Sequence, residues 1–236
     1  MSLPSPQRNA IVEFVGLPAV GKSTISRLSA ALLAKNYPRV REPIRRVDDR
    51  SGPHRVLSKG RFAAEHILRC PRTTLSTARN LFKTDQASTT DRVRVSFNLQ
   101  YVAGVVARAR SNHGVTLLDQ GPYQGIWSVG LRSTTDWDTL FDRFECFLSR
   151  TAPDLVVLVE ADTDTIAKRL HSREDGDTRV GPNTPIFDRG IEGYEHLKRR
   201  VQSVDTPETI VVNNERNADI DACAKRVGEA VASLRD

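Results

Sequence analysis

Gly16-Leu-Pro-Ala-Val-Gly21-Lys22-Ser23 is the stretch of this 236-residue chain whose residue types and spacing most directly define a chemistry. It follows the pattern G-x-x-x-x-G-K-[ST]. Glycines in that pattern let the backbone curl until successive N–H groups point at one phosphate. Lys22 then reaches the β- and γ-phosphates, and the Ser23 hydroxyl binds Mg²⁺. Gly16, Pro18, Ala19, Val20, Gly21 and Thr24 complete the cradle. A helix starting at its end aims a positive dipole at the anion. ATP and Mg²⁺ are the expected cofactors.

Three further groups carry acid, base or charge-neutralising chemistry. Val115-Thr-Leu-Leu-Asp119 is an apolar run ending in a carboxylate, where a parallel sheet places ligand-binding side chains. Asp119 there sits near the metal or the reacting hydroxyl; the alternative is a turn former ahead of Gly121-Pro122. Glu42 precedes Pro43 after a weak strand. It either accepts a proton from an acceptor hydroxyl or marks a boundary fixed by the proline. Arg169 and Arg173 are four apart on one helix face, followed by a polar, glycine-containing loop that includes Arg179. That segment reads as a lid over about 170–186 closing guanidinium groups on the phosphates, or as a charged, exposed helix end. Residue 120 is Gln, where hydrolytic motor ATPases place Glu, and the Asn-Lys-x-Asp guanine reader of switch GTPases is absent. Transfer to an acceptor other than water is therefore favoured.

The elements that must hold these groups follow from hydrophobic patterning. Ala10–Val15, a weak segment near Arg39–Arg41, Val115–Leu118, Asp154–Glu160 and Thr209–Val212 read as strands. Helical patterns lie near 22–35, 55–69, 90–111, 135–150, 162–172, 187–203 and 218–234. This alternation predicts an α/β fold with a parallel sheet covered on both faces. Residues 1–9 read as a short disordered lead-in, residues 10–236 as one domain, and 44–90 is the least legible region. No run of 18 apolar residues exists, so no membrane span is expected. The first eight residues lack the apolar core of a signal peptide. Cys70, Cys146 and Cys223 are far apart and odd in number, which suggests a reducing, cytoplasmic setting. The net charge is +6, with arginines clustered between Arg39 and Arg61. That cluster is a solvated face or a site for an anionic substrate or nucleic acid.

Taken in order, these pieces resemble the nucleoside and nucleotide kinase branch of the phosphate-loop proteins, that is, deoxynucleoside kinases and thymidylate kinase-like proteins. Glu42-Pro43-Ile44 is similar to the Glu-Pro-(Val/Ile) of deoxynucleoside kinases, which implies Glu42 as the base for the acceptor hydroxyl. Phe97-Asn-Leu-Gln100-Tyr101 is similar to their aromatic-x-x-Gln-(Tyr) helix, which implies Gln100 with Tyr101 at the acceptor base; an exposed helix glutamine is the alternative. Arg41-Glu42-Pro43 and the Asp after the third strand resemble thymidylate kinases. Both families usually place Arg after that acidic residue, where this chain has Gln120. Ile44-Arg45 also replaces the Gly-Gly of thymidylate kinases.

The resemblance implies a three-layer α/β/α phosphate-loop NTPase fold whose five parallel strands run in the order 2-3-1-4-5. It implies transfer from ATP to a small, nucleoside-like acceptor, with Lys22, Arg169, Arg173 and Arg179 at the phosphates and Ser23 with Asp119 at Mg²⁺. The adenine would pack near Asn213–Arg216. Sugars, antibiotics and polynucleotide ends are alternative acceptors, a non-catalytic ATP-binding module is the other class, and a homodimer is compatible with the pattern.

Overall fold

The computed structural model describes residues 9–49, 51–172, 181, 184–215 and 219–234. Five strands form one sheet: β1 (Ala10–Val15), β2 (Val40–Arg41), β3 (Val115–Leu118), β4 (Leu155–Glu160) and β5 (Glu208–Asn213). Their spatial order is β2-β3-β1-β4-β5, and every pairing is parallel. The three central strands are near-continuous apolar runs because both of their faces are covered. Register decides where the chemistry falls. Glu13 of β1 lies opposite Leu118, the last residue of β3, and β1 runs two residues further, so Gly16 and Asp119 both lie at the C-terminal ends of the central strands.

Eleven helices are described: α1 (Lys22–Leu33), α2 (Pro43–Asp48), α3 (Gly52–Arg69), α4 (Pro71–Phe82), α5 (Thr89–Arg110), α6 (Pro122–Gly130), α7 (Trp137–Arg143), α8 (Glu145–Thr151), α9 (Thr163–His171), α10 (Pro185–Gln202) and α11 (Ile220–Ser233). They flank the sheet as a phosphate-loop NTPase fold requires. α1 packs against α11. α5 packs on β1, where Val102, Val105 and Val106 close over Ile11, and α3 lies along α5. Prolines sit in the first turns of α2, α3, α4, α6 and α10. Their missing N–H costs nothing at those positions.

Three features differ from the sequence expectation. The segment 135–150 is two helices, because Phe144 leaves helical geometry (φ −99°, ψ 9°) to bury its ring completely. Gly121-Pro122 opens α6 rather than a simple turn. In the obscure region after residue 44, α3 answers to the helix expected near 55–69, and α2 and α4 are additional. Of the expected lead-in only Asn9 is described, its amide donating to the Ala109 carbonyl at 2.8 Å.

Candidate active site

The loop between β1 and α1 takes a shape that few residue types tolerate. Gly21 has φ 103° and Ala19 has φ 64°. A Cβ on Gly21 would stand 2.2 Å from Asn214 Nδ2. Ala19 accepts a left-handed conformation that is uncommon outside glycine. Three carbonyls of the loop are engaged by side chains. Lys22 Nζ donates to Gly16 O (2.7 Å) and Leu17 O (2.9 Å). Asn214 Nδ2 donates to Val20 O at 2.7 Å, and Arg169 Nη1 reaches the same oxygen at 3.4 Å. Thr24 and Ile25 donate back to Gly21 O, which starts α1. A cleft of about 250 Å³ opens over the loop, walled by Pro18, Lys22, Ser23, Asp119, Gln124 and Trp127 among others.

Ser23 Oγ donates to Asp119 Oδ2 at 3.3 Å, so the hydroxyl and carboxylate expected at a metal do converge. Among the described residues no three His, Cys, Asp or Glu side chains gather as a metal cage. One hydroxyl and one carboxylate fit Mg²⁺, which keeps waters and takes its other ligands from substrate phosphates. Burial first, and then the nearby Asp48 carboxylate, push the Asp119 pKa upward against the Ser23 hydrogen bond and Lys22. Glu42, at the start of α2, meets α1 one helical turn beyond Ser23. Ser26 Oγ lies 3.5 Å from Glu42 Oε1, and Arg45 Nη1 holds Oε2 at 3.0 Å.

Tyr101 presents its ring edge to Phe62, and Lys59 Nζ lies 5.2 Å from its centroid. Its hydroxyl is buried without a hydrogen-bond partner among the described residues. Burial, Asp48 and Asp119 all raise its pKa, so it stays a neutral donor facing the carboxylates. Lys59 itself is paired with Asp48 at 2.6 Å. Gln100 is placed elsewhere. Its Oε1 accepts from Thr74 at 3.2 Å, and it lines a separate apolar cavity of about 360 Å³ between α3, α4 and α5. The two cavities share no lining residue. Arg169 reaches the loop, with its second nitrogen 3.4 Å from Glu215 O. Arg173 and Arg179, and most of the expected lid, lie outside the described residues. The arginine cluster is partly neutralised, since Arg45 pairs with Glu42 and Asp49, while Arg41 keeps its charge and donates to the His113 carbonyl.

Sequence reasoning missed the residues that tie these parts together. Glu13, fully buried in the middle of β1, accepts from the backbone N–H of Gln124 (2.8 Å) and of Tyr123 (3.2 Å). Gln124 Oε1 in turn accepts from Gly16 N at 3.1 Å. Glu13 thus fixes the first turn of α6, and α6 fixes the first glycine of the loop. Gly121 must be glycine, since a Cβ there would stand 2.4 Å from the Glu13 carboxyl carbon. A lone carboxylate inside an apolar strand was the available signal.

No protein-family model matches the sequence, and no curated protein matches it in sequence. Solved structures do match in fold. The chain is similar to thymidylate kinase from Ehrlichia chaffeensis, with TM-score 0.55 and 14% identity over 95% of this chain and 99% of that one. It is similar to thymidylate kinase from Candida albicans, with TM-score 0.55 and 16% identity over 96% and 94%. It is also similar to deoxyadenosine kinase from M. mycoides, with TM-score 0.56 and 16% identity over 94% and 99%. The chain therefore has the phosphate-loop fold of the nucleoside and nucleotide kinases.

Proposed function

We propose that this chain is an ATP- and Mg²⁺-dependent phosphotransferase that moves the γ-phosphate to a hydroxyl of a small, nucleoside-like acceptor. The observation that carries the reading is convergence on the first two turns of α1. Lys22 and Ser23 serve the donor phosphates there, Asp119 meets Ser23, and Glu42 meets Ser26 one turn on. Phosphoryl transfer asks little covalent chemistry of a protein and much positioning and charge neutralisation.

In this reading the loop N–H groups hold the β- and γ-phosphates, and Lys22 follows the charge that develops on the transferred group. Ser23 and Asp119 would hold Mg²⁺, which supplies further neutralisation of the phosphate oxygens. Glu42 takes the proton of the acceptor hydroxyl, with Arg45 orienting its carboxylate. Asp119 is the other candidate base, made more basic by burial and by Asp48. Tyr101 and the Asp48–Lys59 pair border the acceptor side, where a neutral phenol and a compensated ion pair suit polyhydroxyl groups better than a second phosphate. Arg169 stands beside the loop, ready to join the phosphates.

The test is transfer of labelled γ-phosphate from ATP to a panel of nucleosides, nucleotides, sugars, aminoglycosides and short oligonucleotides. A labelled nucleoside product that disappears in Lys22→Ala is the expected result. ATP binding without transfer to any acceptor would instead assign a non-catalytic binding module.

A further inference from the structure

The charge of this protein is not spread over it. Residues 51–97 hold nine Lys and Arg against three Asp and Glu, while the rest of the chain is balanced at 26 of each. The whole net charge of +6 therefore sits on α3, α4 and the start of α5. The same stretch holds eight of the nine exposed large apolar side chains among the described residues, Val204 being the ninth. Leu57, Leu68, Leu75, Phe82 and Val93 are each at least 65% exposed.

Helical spacing orders these side chains into stripes. On α3, Leu57, Arg61 and Leu68 follow at steps of four and seven. On α4, Arg72, Leu75, Arg79 and Phe82 follow at steps of three, four and three. Both patterns keep one helix face. The stripes join where Phe82 meets α5 under Arg92, whose guanidinium lies 5.4 Å from the ring centroid. Arg55, Arg61, Arg72, Arg79, Lys83 and Arg94 are exposed and form no ion pair among the described residues.

We propose that the outer face of α3 and α4 docks on an anionic phospholipid bilayer, with leucines entering the headgroup boundary and arginines meeting lipid phosphates. Interleaved aliphatic and cationic side chains on a helix face are the pattern such surfaces bind. A second copy of the chain would set this cationic face against its own like charge. A nucleic acid would satisfy the arginines but leave the aliphatic side chains in water. Docking here is peripheral, and no helix of the described residues is long and apolar enough to cross a membrane.

The test is co-sedimentation of the whole chain with vesicles of phosphatidylglycerol and phosphatidylcholine at 3:1, beside vesicles of phosphatidylcholine alone. Binding is expected to the anionic vesicles only and to weaken as salt is raised. The pair Arg72→Gln and Arg79→Gln should weaken it roughly fivefold per cation removed. The pair Leu68→Ser and Leu75→Ser should weaken it about tenfold or more. None of these four residues borders either cavity, so phosphate transfer stays at its wild-type rate and reports folding. Equal partition onto both vesicle types, or leucine variants that bind like wild type, would overturn the proposal. So would a dimer in light scattering that the leucine variants dissociate, since the face would then belong to a second copy.

Discussion

Replacing Glu13 with Gln should remove a loss of stability that the wild type suffers as pH rises into mild alkali. Burial in β1 pushes the Glu13 carboxyl from its ordinary 4.5 up to about 8, against the backbone N–H groups of Gln124, Tyr123 and Gly121. A folded-state pKa above the unfolded one means that the native protein binds the extra proton. The associated stability is complete below about pH 4.5 and is lost as pH rises through about 8. At ~1.4 kcal/mol per pH unit, the loss between about pH 5 and about pH 8.5 amounts to about 4 kcal/mol. Gln is neutral at every pH and still accepts from Gln124; the bond from Tyr123 that its amide nitrogen cannot accept is lost equally at both pH values. Its stability should therefore lack this slope. The assay is urea unfolding of both proteins at the two pH values. The midpoint of Glu13→Gln relative to wild type should rise by about 1.5 M between them. Other titrating groups, including buried His66 with its lowered pKa, cancel in the difference. Parallel loss of stability in the two proteins would show that the Glu13 carboxyl is ionised throughout and refute the reasoning.

Gly21→Ala forces φ 103° on a residue with a Cβ and drives that carbon onto Asn214. It should cost about 1–3 kcal/mol of stability and weaken ATP binding in titration calorimetry. Glu42→Gln should lower turnover at least a hundredfold while the ATP dissociation constant stays within about twofold. If Asp119→Asn produces that split instead, Asp119 is the base. Lys22→Ala should abolish transfer and leave the circular dichroism spectrum unchanged.

The parts legible in the sequence were those whose neighbours are local. β1, β3 and β4 declared themselves because central parallel strands are apolar on both faces, whereas β2 is a two-residue edge and left a faint trace. The Gly16–Ser23 loop is contiguous, and Asp119 ends a strand. α3 was legible as the helix near 55–69, whereas α4 was not, and the core-facing sides of both helices were hidden because their pattern is inverted. Leu57, Leu68 and Leu75 are exposed while His66, Thr73 and Thr77 are buried, so apolar periodicity points away from the core. The outer supports of the loop come from far along the chain. Asn214 reaches Val20 from the end of β5, and nothing in a linear pattern pairs the two. Gln100 and Tyr101, neighbours in sequence, diverge because successive helix residues point about 100° apart.

Lys22 already has partners in this structure. Its ammonium rests on the Gly16 and Leu17 carbonyls. In the function proposed above, nucleotide binding at this loop is an exchange. The phosphates must draw Lys22 away from two peptide oxygens, and the affinity reflects the difference between the new contacts and those given up. A loop tied in this way to its own lysine discriminates by charge. A neutral group of the right size cannot outbid two carbonyls for the ammonium, whereas a polyphosphate can.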